Sequence, residues 1–204
     1  MMDDIKKKER LTIEHYDANA HSFWAGTKDH DVSQNTQAFL DALPQQPSLD
    51  ILDLGCGPGR DLYHFKSLGH RPVGLDGSAA FCKMASDYSH CPTLNQTFVD
   101  MRLPDNQFDG VFANASLFHV PRSEYISVLL KLHACLRTNG ILFTSNPRGN
   151  GDGWQGQRYG NYLELEPTKN CLERAGFELL QYYYRPSDKP IEQQPWLATI
   201  SRRI

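Results

Sequence analysis

Three glycines fall within five positions in ILDLGCGPGRD, residues 51–61, directly after a run that alternates apolar residues with an acid. Gly55, Gly57 and Gly59 strip this turn of side chains, so a ligand can approach the backbone amides and the start of a following helix. Asp53 precedes the turn, and its charge would repel a pyrophosphate but suit a ligand with an ammonium or sulfonium group. The segment therefore predicts a binding site for a ligand of that kind.

The glycine spacing separates this turn from the dinucleotide-binding turn. The dinucleotide fingerprint is G-x-G-x-x-G, and counting from Gly55 places Arg60 where its third glycine belongs. Arg60 and Asp53 both argue against a nicotinamide oxidoreductase, which stays as a disfavoured alternative.

The elements that must position this turn follow from the hydrophobic pattern. Five apolar runs between residues 49 and 146 predict strands: LDILDLG, RPVGLD, QTFVD, FDGVFAN and GILFTSN. Three segments predict helices: GRDLYHFKSLGH, SAAFCKMASDYSH with Ser78 as its cap, and PRSEYISVLLKLHACLRTNG. Strands that alternate with helices in this way predict an α/β fold whose parallel sheet is covered on both faces.

Two of these helices have predicted apolar faces. The first uses Leu62, Phe65 and Leu68 and stops at Gly69, and the last uses Ile126, Leu129, Leu130 and Leu136.

The two ends of the chain depart from this alternation. Residues 1–44 predict a helical cap over the sheet edge, joined at LPQQPS to a core of residues 45–204, and we expect a single domain over residues 1–204. Residues 147–163 are rich in glycine and polar residues and predict no regular structure. A helix that ends at Gly176 and two further strands, the last in PWLATISRRI, complete the pattern.

Composition limits the classes of partner. The 204 residues carry 21 Lys and Arg against 24 Asp and Glu, a formal charge of -3, which supplies no strong positive field for nucleic acid. The N-terminus lacks the apolar stretch of a secretory signal, and no run approaches about 20 apolar residues. We therefore expect a cytoplasmic protein without a nucleic-acid or membrane partner. The five scattered cysteines show no metal-ligand spacing, so no metal site is expected.

The segment LDLGCGPGRD resembles the first motif of the class I S-adenosylmethionine-dependent methyltransferases, D/E-x-G-x-G-x-G at the end of strand one. Three later segments agree in order and spacing: VGLDGS, FVDM and FDGVFANASLFHVP. The resemblance implies a Rossmann-like seven-stranded sheet of order 3-2-1-4-5-7-6 with strand 7 antiparallel, and S-adenosylmethionine as cofactor across the carboxyl ends of the strands. It covers roughly residues 12–204.

The resemblance also implies roles for particular residues. Asp76 would accept hydrogen bonds from both ribose hydroxyls, Asp100 and Met101 would meet the adenine edge, and Asn114 would face the methionine moiety. The remaining predicted cofactor residues are Tyr16, Asp53, Gly55, Cys56, Gly57, Gly59, Arg60, Gly77 and Ser78. Structural alternatives stay open for several of them: Asp53 and Asp100 could be caps, Asp76 a solvated acid, Arg60 a partner of surface acids, and Tyr16 core packing.

Within the family, the chain is similar to a bacterial small-molecule branch that includes the tellurite-resistance-type methyltransferases. Arg60 and Asp61 follow the glycine turn as in that branch, and YDANAHSF supplies Tyr16 and Phe23 as aromatic residues that would close over the cofactor. RTNGIL stands at strand five, where Pro-Gly-Gly is commoner.

The implied chemistry is an in-line displacement at the methyl carbon, which depends on orientation and the exclusion of water. His119 is the candidate base if the acceptor arrives protonated, with a plain hydrogen bond to the backbone as its alternative. NASL at strand four lacks the Asn-Pro-Pro-Tyr pattern of enzymes that methylate nucleobases or glutamine, so we expect a small-molecule acceptor. Tyr159 and Tyr162 could line its pocket, and residues 147–163 would select it. A binding protein that senses S-adenosylmethionine without transferring methyl is the alternative.

Overall fold

The computed structural model describes residues 2–204. Its nine strands are β1 (Asp50–Leu54), β2 (Arg71–Asp76), β3 (Thr93–Asn95), β4 (Phe108–Asn114), β5 (Leu136–Pro147), β6 (Gly151–Gln155), β7 (Arg158–Tyr162), β8 (Phe177–Arg185) and β9 (Trp196–Arg203). Its seven α-helices are α1 (Met2–Ala18), α2 (Ala20–Thr27), α3 (Ser33–Ala42), α4 (Arg60–Ser67), α5 (Ala79–Ser89), α6 (Tyr125–Cys135) and α7 (Leu165–Arg174).

Seven strands form one sheet in the order β3-β2-β1-β4-β5-β9-β8. Neighbours from β3 to β5 run parallel, whereas β9 is antiparallel to both β5 and β8. The predicted Rossmann-like order is confirmed, with β8 and β9 as the predicted strands six and seven. The carboxyl ends of β1, β2 and β4 therefore meet at one edge of the sheet, where the glycine turn lies.

Helices cover both faces of the sheet because its central strands carry apolar residues on both sides. On one face α6 and α7 bury Leu129, Leu132 and Leu172 against β1, β4 and β5. On the other face Phe39 of α3 and Phe65 of α4 pack with aromatic residues of β4 and β5. The fully buried Phe39 shows that α3 covers a sheet face and does more than cap an edge.

The predicted helix faces need correction in two places. Helix α4 ends at Ser67, which leaves Leu68 exposed instead of buried. Helix α6 begins only after a 3₁₀ turn at Arg122–Glu124, and its buried face differs from the predicted one. The buried residues of α6 are Tyr125, Val128, Leu129, Leu132 and Cys135, while Leu130 is exposed and Leu136 begins β5. The predicted helix extended past both ends of α6, and of its four predicted face residues only Leu129 is buried within α6.

Strand three lies earlier than predicted. Residues Thr93–Asn95 form β3, and the segment QTFVD that follows is a turn. The strand pairs with β2 at Gly74, Leu75 and Asp76, so pairing ends where β2 ends. The shift moves the cofactor-facing residues of this segment, as described below.

Residues 147–163 form a hairpin, not the predicted irregular loop. Strands β6 and β7 pair antiparallel around the two-residue connection Gly156 and Gln157. Gly156 has φ +61°, the conformation that the first position of such a tight hairpin turn requires. A Gly-X pair between two short runs was the sequence signal for it.

Among the described residues 2–204, none of the helices has the length and apolar character needed to cross a bilayer.

Candidate functional site

The glycine turn between β1 and α4 uses its amides to hold strand β2. The N–H groups of Gly55 and Cys56 both donate to the carbonyl of Leu75, at 2.7 and 3.1 Å, and the Gly57 N–H donates to Asp76 Oδ2 at 3.0 Å. This corrects the expectation that these amides are open to a ligand. Because glycine has no side chain, the turn instead presents a flat surface beside the Asp76 carboxylate.

Gly55 has no room for a side chain. Its φ is +74°, and a Cβ placed there would lie 2.3 Å from Cβ of Ser116. Ser116 is itself fixed because its hydroxyl donates to the carbonyl of Leu54 at 2.7 Å. Gly59, the third glycine, instead lets α4 approach α5, where its Cβ would meet Cα of Ala85 at 2.7 Å. Gly59 therefore has a packing role and does not line the cleft.

Asp76 ends β2 with a carboxylate that faces the cleft. Its Oδ1 accepts from the Ser78 N–H at 2.9 Å, and its Oδ2 accepts from Gly57. Each carboxylate oxygen has a second lone pair, so both can still accept a hydroxyl donor. Burial raises the pKa of Asp76 to about 6, against the backbone donors that lower it. The group is thus mainly ionised at neutral pH.

Asp53 lies behind the cleft wall and does not line the cleft. It is buried, and its Oδ2 has no hydrogen-bond partner among the described residues. Burial, followed by the charge of Asp61, holds its pKa well above the usual value. Its predicted direct contact with a cationic ligand is not seen in the geometry of the site.

One cleft of about 590 Å³ lies along this edge of the sheet, within the usual size range of small-molecule sites. Its lining includes His119 and eight of the predicted cofactor residues: Tyr16, Gly55, Cys56, Gly57, Arg60, Asp76, Gly77 and Asn114. The cleft also has an outer end, formed by residues 30–32, 185–186 and 196. Sequence reasoning missed this end, since its residues come from distant parts of the chain.

Four predicted cofactor residues besides Asp53 are absent from this lining: Gly59, Ser78, Asp100 and Met101. Ser78 caps α5 as predicted, because its hydroxyl accepts from the Phe81 N–H at 3.0 Å. Asp100 is exposed, and Met101 is buried in the core.

The segment after β3 contributes to the cleft through other residues. Since strand pairing stops at Asn95, Thr97 and Phe98 reach the lining in place of Asp100 and Met101.

Arg60 forms an ion pair inside the cleft wall. Its Nε and Nη2 donate to the two oxygens of Asp61, both at 2.9 Å, and Nη1 donates to the carbonyl of Thr27 at 3.1 Å. The guanidinium therefore ties α4 to the end of α2. Arg60 thus forms an ion pair, which was the alternative to a cofactor contact, but its partner Asp61 is a buried acid and not a surface acid.

Helix α1 closes the cleft from above with one face. Glu9, Thr12, Ile13 and Tyr16 follow helical spacing and all line the cleft. The Tyr16 ring also packs on Phe23 and Phe81, with centroid distances of 5.6 Å to each. The helical spacing of Glu9, Thr12 and Ile13 before Tyr16 was the sequence signal that could have predicted them.

His119 is held in one tautomer by two hydrogen bonds. Its Nδ1 lies 2.7 Å from the carbonyl oxygen of Tyr159, which can only accept, so Nδ1 carries the proton. Its Nε2 then accepts from the Tyr16 hydroxyl at 2.8 Å. Burial lowers the pKa of His119 to about 4. A neutral imidazole whose lone pair is already engaged is a poor general base, so this geometry favours the hydrogen-bonded alternative to catalysis.

The hairpin supports His119 from behind and does not line the cleft. The Tyr159 side chain is buried, and its hydroxyl donates to Asp152. Tyr162 lies beside Phe118, outside the lining. The structure therefore does not place Tyr159, Tyr162 or any other residue of 147–163 in the lining of the cleft, where they were expected to shape the acceptor pocket.

Asn114 is oriented by a buried relay of side chains. The Tyr183 hydroxyl donates to Asn35 Oδ1, and Asn35 Nδ2 donates to Asn114 Oδ1, both at 2.9 Å. Asn35 is fully buried. The relay leaves the amide N–H groups of Asn114 as donors at the cleft surface.

The part of the chain that the structure describes contains no candidate metal site. Across residues 2–204, no three His, Cys, Asp or Glu side chains come together in a group that could hold an ion. The five cysteines are unpaired thiols.

Comparisons with known proteins agree with the fold. Residues 52–144 match the family model of the Methyltransferase domain. Malonyl-[acyl-carrier protein] O-methyltransferase of Yersinia pestis is 26% identical over 83% of the chain, and cycloartenol-C-24-methyltransferase of Arabidopsis thaliana is 24% identical over 88%. The chain spans 68% of the first relative's length and 59% of the second's.

A solved structure gives the same architecture. The 1,6-didemethyltoxoflavin-N1-methyltransferase of Burkholderia thailandensis, with bound 1,6-didemethyltoxoflavin and S-adenosylhomocysteine, superposes with a TM-score of 0.77. The match covers 95% of this chain and 88% of that one. Because the identity is only 22%, the match shows that the two proteins share a fold.

The Rossmann-like sheet with its glycine turn and carboxylate-lined cleft defines a class I methyltransferase fold. Together with the domain match over residues 52–144 and the relatives, it supports a class I S-adenosylmethionine-dependent methyltransferase that uses S-adenosylmethionine as cofactor. The narrower resemblance to the tellurite-resistance-type branch stays a prediction.

Proposed function

We propose that this protein transfers the methyl group of S-adenosylmethionine to a small organic acceptor bound in the same cleft. The observation that carries the proposal is the joint lining of one cleft by the glycine turn, Asp76 and Asn114, with helix α1 closed over it. A roof of this kind excludes water and leaves space for a small partner beside a cofactor.

The residues present fit the cofactor. Asp76 offers two carboxylate oxygens with spare lone pairs, which suit a pair of ribose hydroxyls. Gly57 leaves open surface beside it, because a Cβ at this position would have Phe23 as its nearest neighbour, 3.9 Å away. Asn114 presents amide donors that suit a carboxylate of the methionine part. When bound, S-adenosylmethionine supplies an electrophilic methyl group on its sulfonium sulfur.

The chain contributes orientation more than acid–base chemistry. Tyr16 is held over the cleft by His119, whose tautomer is fixed by the hairpin. His119 is therefore proposed as a positioning residue for Tyr16, in place of the predicted general base. We expect the acceptor to arrive ionised, or to lose its proton to a water molecule beside the nucleophile.

Relatives act on small or carrier-bound acceptors, as their names state: a malonyl group on a carrier protein, a sterol and a toxoflavin precursor. These acceptors have little chemistry in common. They are therefore consistent with many small acceptors and do not identify the one that this protein uses. The formal charge of -3 adds no attraction for nucleic acid.

The test is the release of S-adenosylhomocysteine from S-adenosylmethionine in the presence of a cell extract, split by ultrafiltration into small-molecule and macromolecular fractions. We expect release with the small-molecule fraction, release at least about tenfold slower with Asp76→Asn at a cofactor concentration near the wild-type Kd, and full release with Asp100→Asn, an exposed acid outside the cleft. Release confined to the macromolecular fraction would contradict a small-molecule acceptor.

A further inference from the structure

The outer end of the cleft contains an arginine that nothing in the cofactor site uses. Arg185 ends β8 and lines the cleft beside Pro186 and Trp196. Its guanidinium forms no hydrogen bond or ion pair with any of residues 2–204, whereas the other cleft-lining arginine, Arg60, is bound to Asp61 and Thr27. A guanidinium stays charged at all working pH values and offers a planar pair of donors that matches a carboxylate.

The sheet places Arg185 well beyond the predicted cofactor. Asn114 pairs with Ser145, Ser145 with Ala198, and Ala198 with Tyr183, which stands two residues before Arg185. Three strand spacings of about 4.8 Å separate β4 from β8, or about 14 Å. Because side chains alternate along a strand, Arg185 points to the same face as Tyr183, whose hydroxyl bonds Asn35 over the sheet.

The charges around the cleft are divided between its two ends. Glu9 and Asp76 lie at the end formed by α1 and β2, and Asp61 is neutralised by Arg60. At the outer end Asp31 is the acid that faces Arg185, and its carboxylate accepts from the Ser33 N–H at 2.9 Å without forming an ion pair with the arginine. His30 also lines this end. Glu9 and Asp76 would thus repel an anion from their end, whereas at the outer end Arg185 attracts an anion and Asp31 offsets part of that attraction.

The surfaces next to Arg185 suit an apolar body. Trp196 pairs with Arg185 across β8 and β9, and Val32 and Pro186 complete the lining there. A ligand with a carboxylate at one end and an aromatic or aliphatic body could therefore lie along the outer end, with its other end toward Asn114.

From these observations we infer that the methyl acceptor carries a carboxylate that Arg185 binds at the outer end of the cleft, while its apolar body packs on Trp196 and Pro186. This inference rests on the proposed function and narrows its substrate class. The carboxylate is a handle for binding, and the nucleophile lies at the opposite end of the acceptor. The same guanidinium has the chemistry to hold the carboxylate of the cofactor itself, so the test must separate the two sources.

The test uses matched pairs of a carboxylic acid and its amide, benzoic acid with benzamide and 4-phenylbutyric acid with 4-phenylbutyramide. Binding to the protein saturated with S-adenosylhomocysteine is measured by calorimetry. We expect at least one acid to bind about tenfold more tightly than its amide, and Arg185→Gln to bring the pair within about twofold. Arg174→Gln, an exposed arginine on α7, is the matched control and should keep the preference.

Three results would overturn the inference: acids and amides that bind equally to the wild type, no binding of any acid, or a preference that survives Arg185→Gln. A loss of affinity for S-adenosylhomocysteine itself in Arg185→Gln would assign the arginine to the cofactor and also overturn it. Failure of the wild type to bind S-adenosylhomocysteine would instead contradict the proposed function, so the two failures are distinguishable.

Discussion

The two walls of the cleft are built in different ways. The turn wall, residues 55–58, 60, 61, 76 and 77, comes from two neighbouring strand ends. It is held by backbone N–H groups that donate to the Leu75 carbonyl and to the Asp76 carboxylate. The helical wall, the cleft-lining residues of α1 and α2, is held by side chains that reach distant parts of the chain, such as Tyr16 to His119 across 103 residues. The turn wall is thus fixed by the core, whereas the helical wall depends on a few single contacts.

Breaking the turn wall should have the largest effect. Gly55→Ala adds a Cβ against Ser116 at a left-handed φ of +74°, so the turn must move. We expect the free energy of unfolding to fall by about 3 kcal/mol and cofactor affinity to fall by about 100-fold. Denaturant unfolding and calorimetry with S-adenosylhomocysteine measure both. Gly26→Ala, where a Cβ meets nothing within 4 Å, is the control; equal behaviour of the two variants would show that the turn wall is not rigid.

Cutting the relay behind Asn114 should cost less. Asn35→Ala leaves Asn114 Oδ1 and the Tyr183 hydroxyl without their partner in a buried site. We expect a loss of about 2 kcal/mol in the free energy of unfolding, because unpaired buried polar groups keep their desolvation penalty. Gln34→Ala, an exposed neighbour on α3, should change it little. If Asn35→Ala were as stable as Gln34→Ala in urea, the relay would not support this end of the cleft.

The charge of the turn wall should make cofactor binding depend on pH. Asp76 has a pKa raised to about 6, so its carboxyl is largely protonated at pH 5 and ionised at pH 7.5. Ribose hydroxyls donate to the ionised form, and we therefore expect affinity for S-adenosylhomocysteine to rise about tenfold between these pH values. In Asp76→Asn the dependence should largely vanish. An affinity that falls with rising pH in the wild type would be the opposite of this prediction.

Loosening the helical wall should have the smallest effect. Tyr16→Phe removes the hydrogen bond to His119 but keeps the ring contacts with Phe23 and Phe81. We expect about 1 kcal/mol less stability and roughly fivefold weaker cofactor binding. Tyr63→Phe changes an exposed ring on α4 and is the matched control. Thermal unfolding with and without S-adenosylhomocysteine separates the two effects, and no difference between the variants would contradict a closing role for Tyr16.

The same contrast explains what the sequence could predict. The turn wall lies within a local segment, so its glycines, Asp76 and the cap at Ser78 follow from spacing and turn chemistry, and the strand order follows from the family resemblance. The use of the turn amides could not be predicted, because it depends on how β2 lies against the turn.

The rest of the site depends on contacts between residues far apart in the chain. Tyr183 bonds Asn35 across 148 residues, and the Tyr159 N–H bonds the Thr12 hydroxyl across 147. No local pattern encodes such pairs, which is why the outer end and Arg185 were missed. The end of β3 at Asn95 could not be predicted from local sequence either, because the pairing of β3 with β2 decides which residues reach the cleft.

The measurement that tests the central claim most directly is calorimetric titration of S-adenosylhomocysteine into the wild type, Asp76→Asn and Asp100→Asn at pH 7.5. If the cleft beside the glycine turn is the cofactor site, the wild type and Asp100→Asn bind with equal, about micromolar affinity, and Asp76→Asn binds about 10- to 100-fold more weakly. Equal binding by all three folded proteins would place the cofactor elsewhere, and no binding by the wild type would contradict the account.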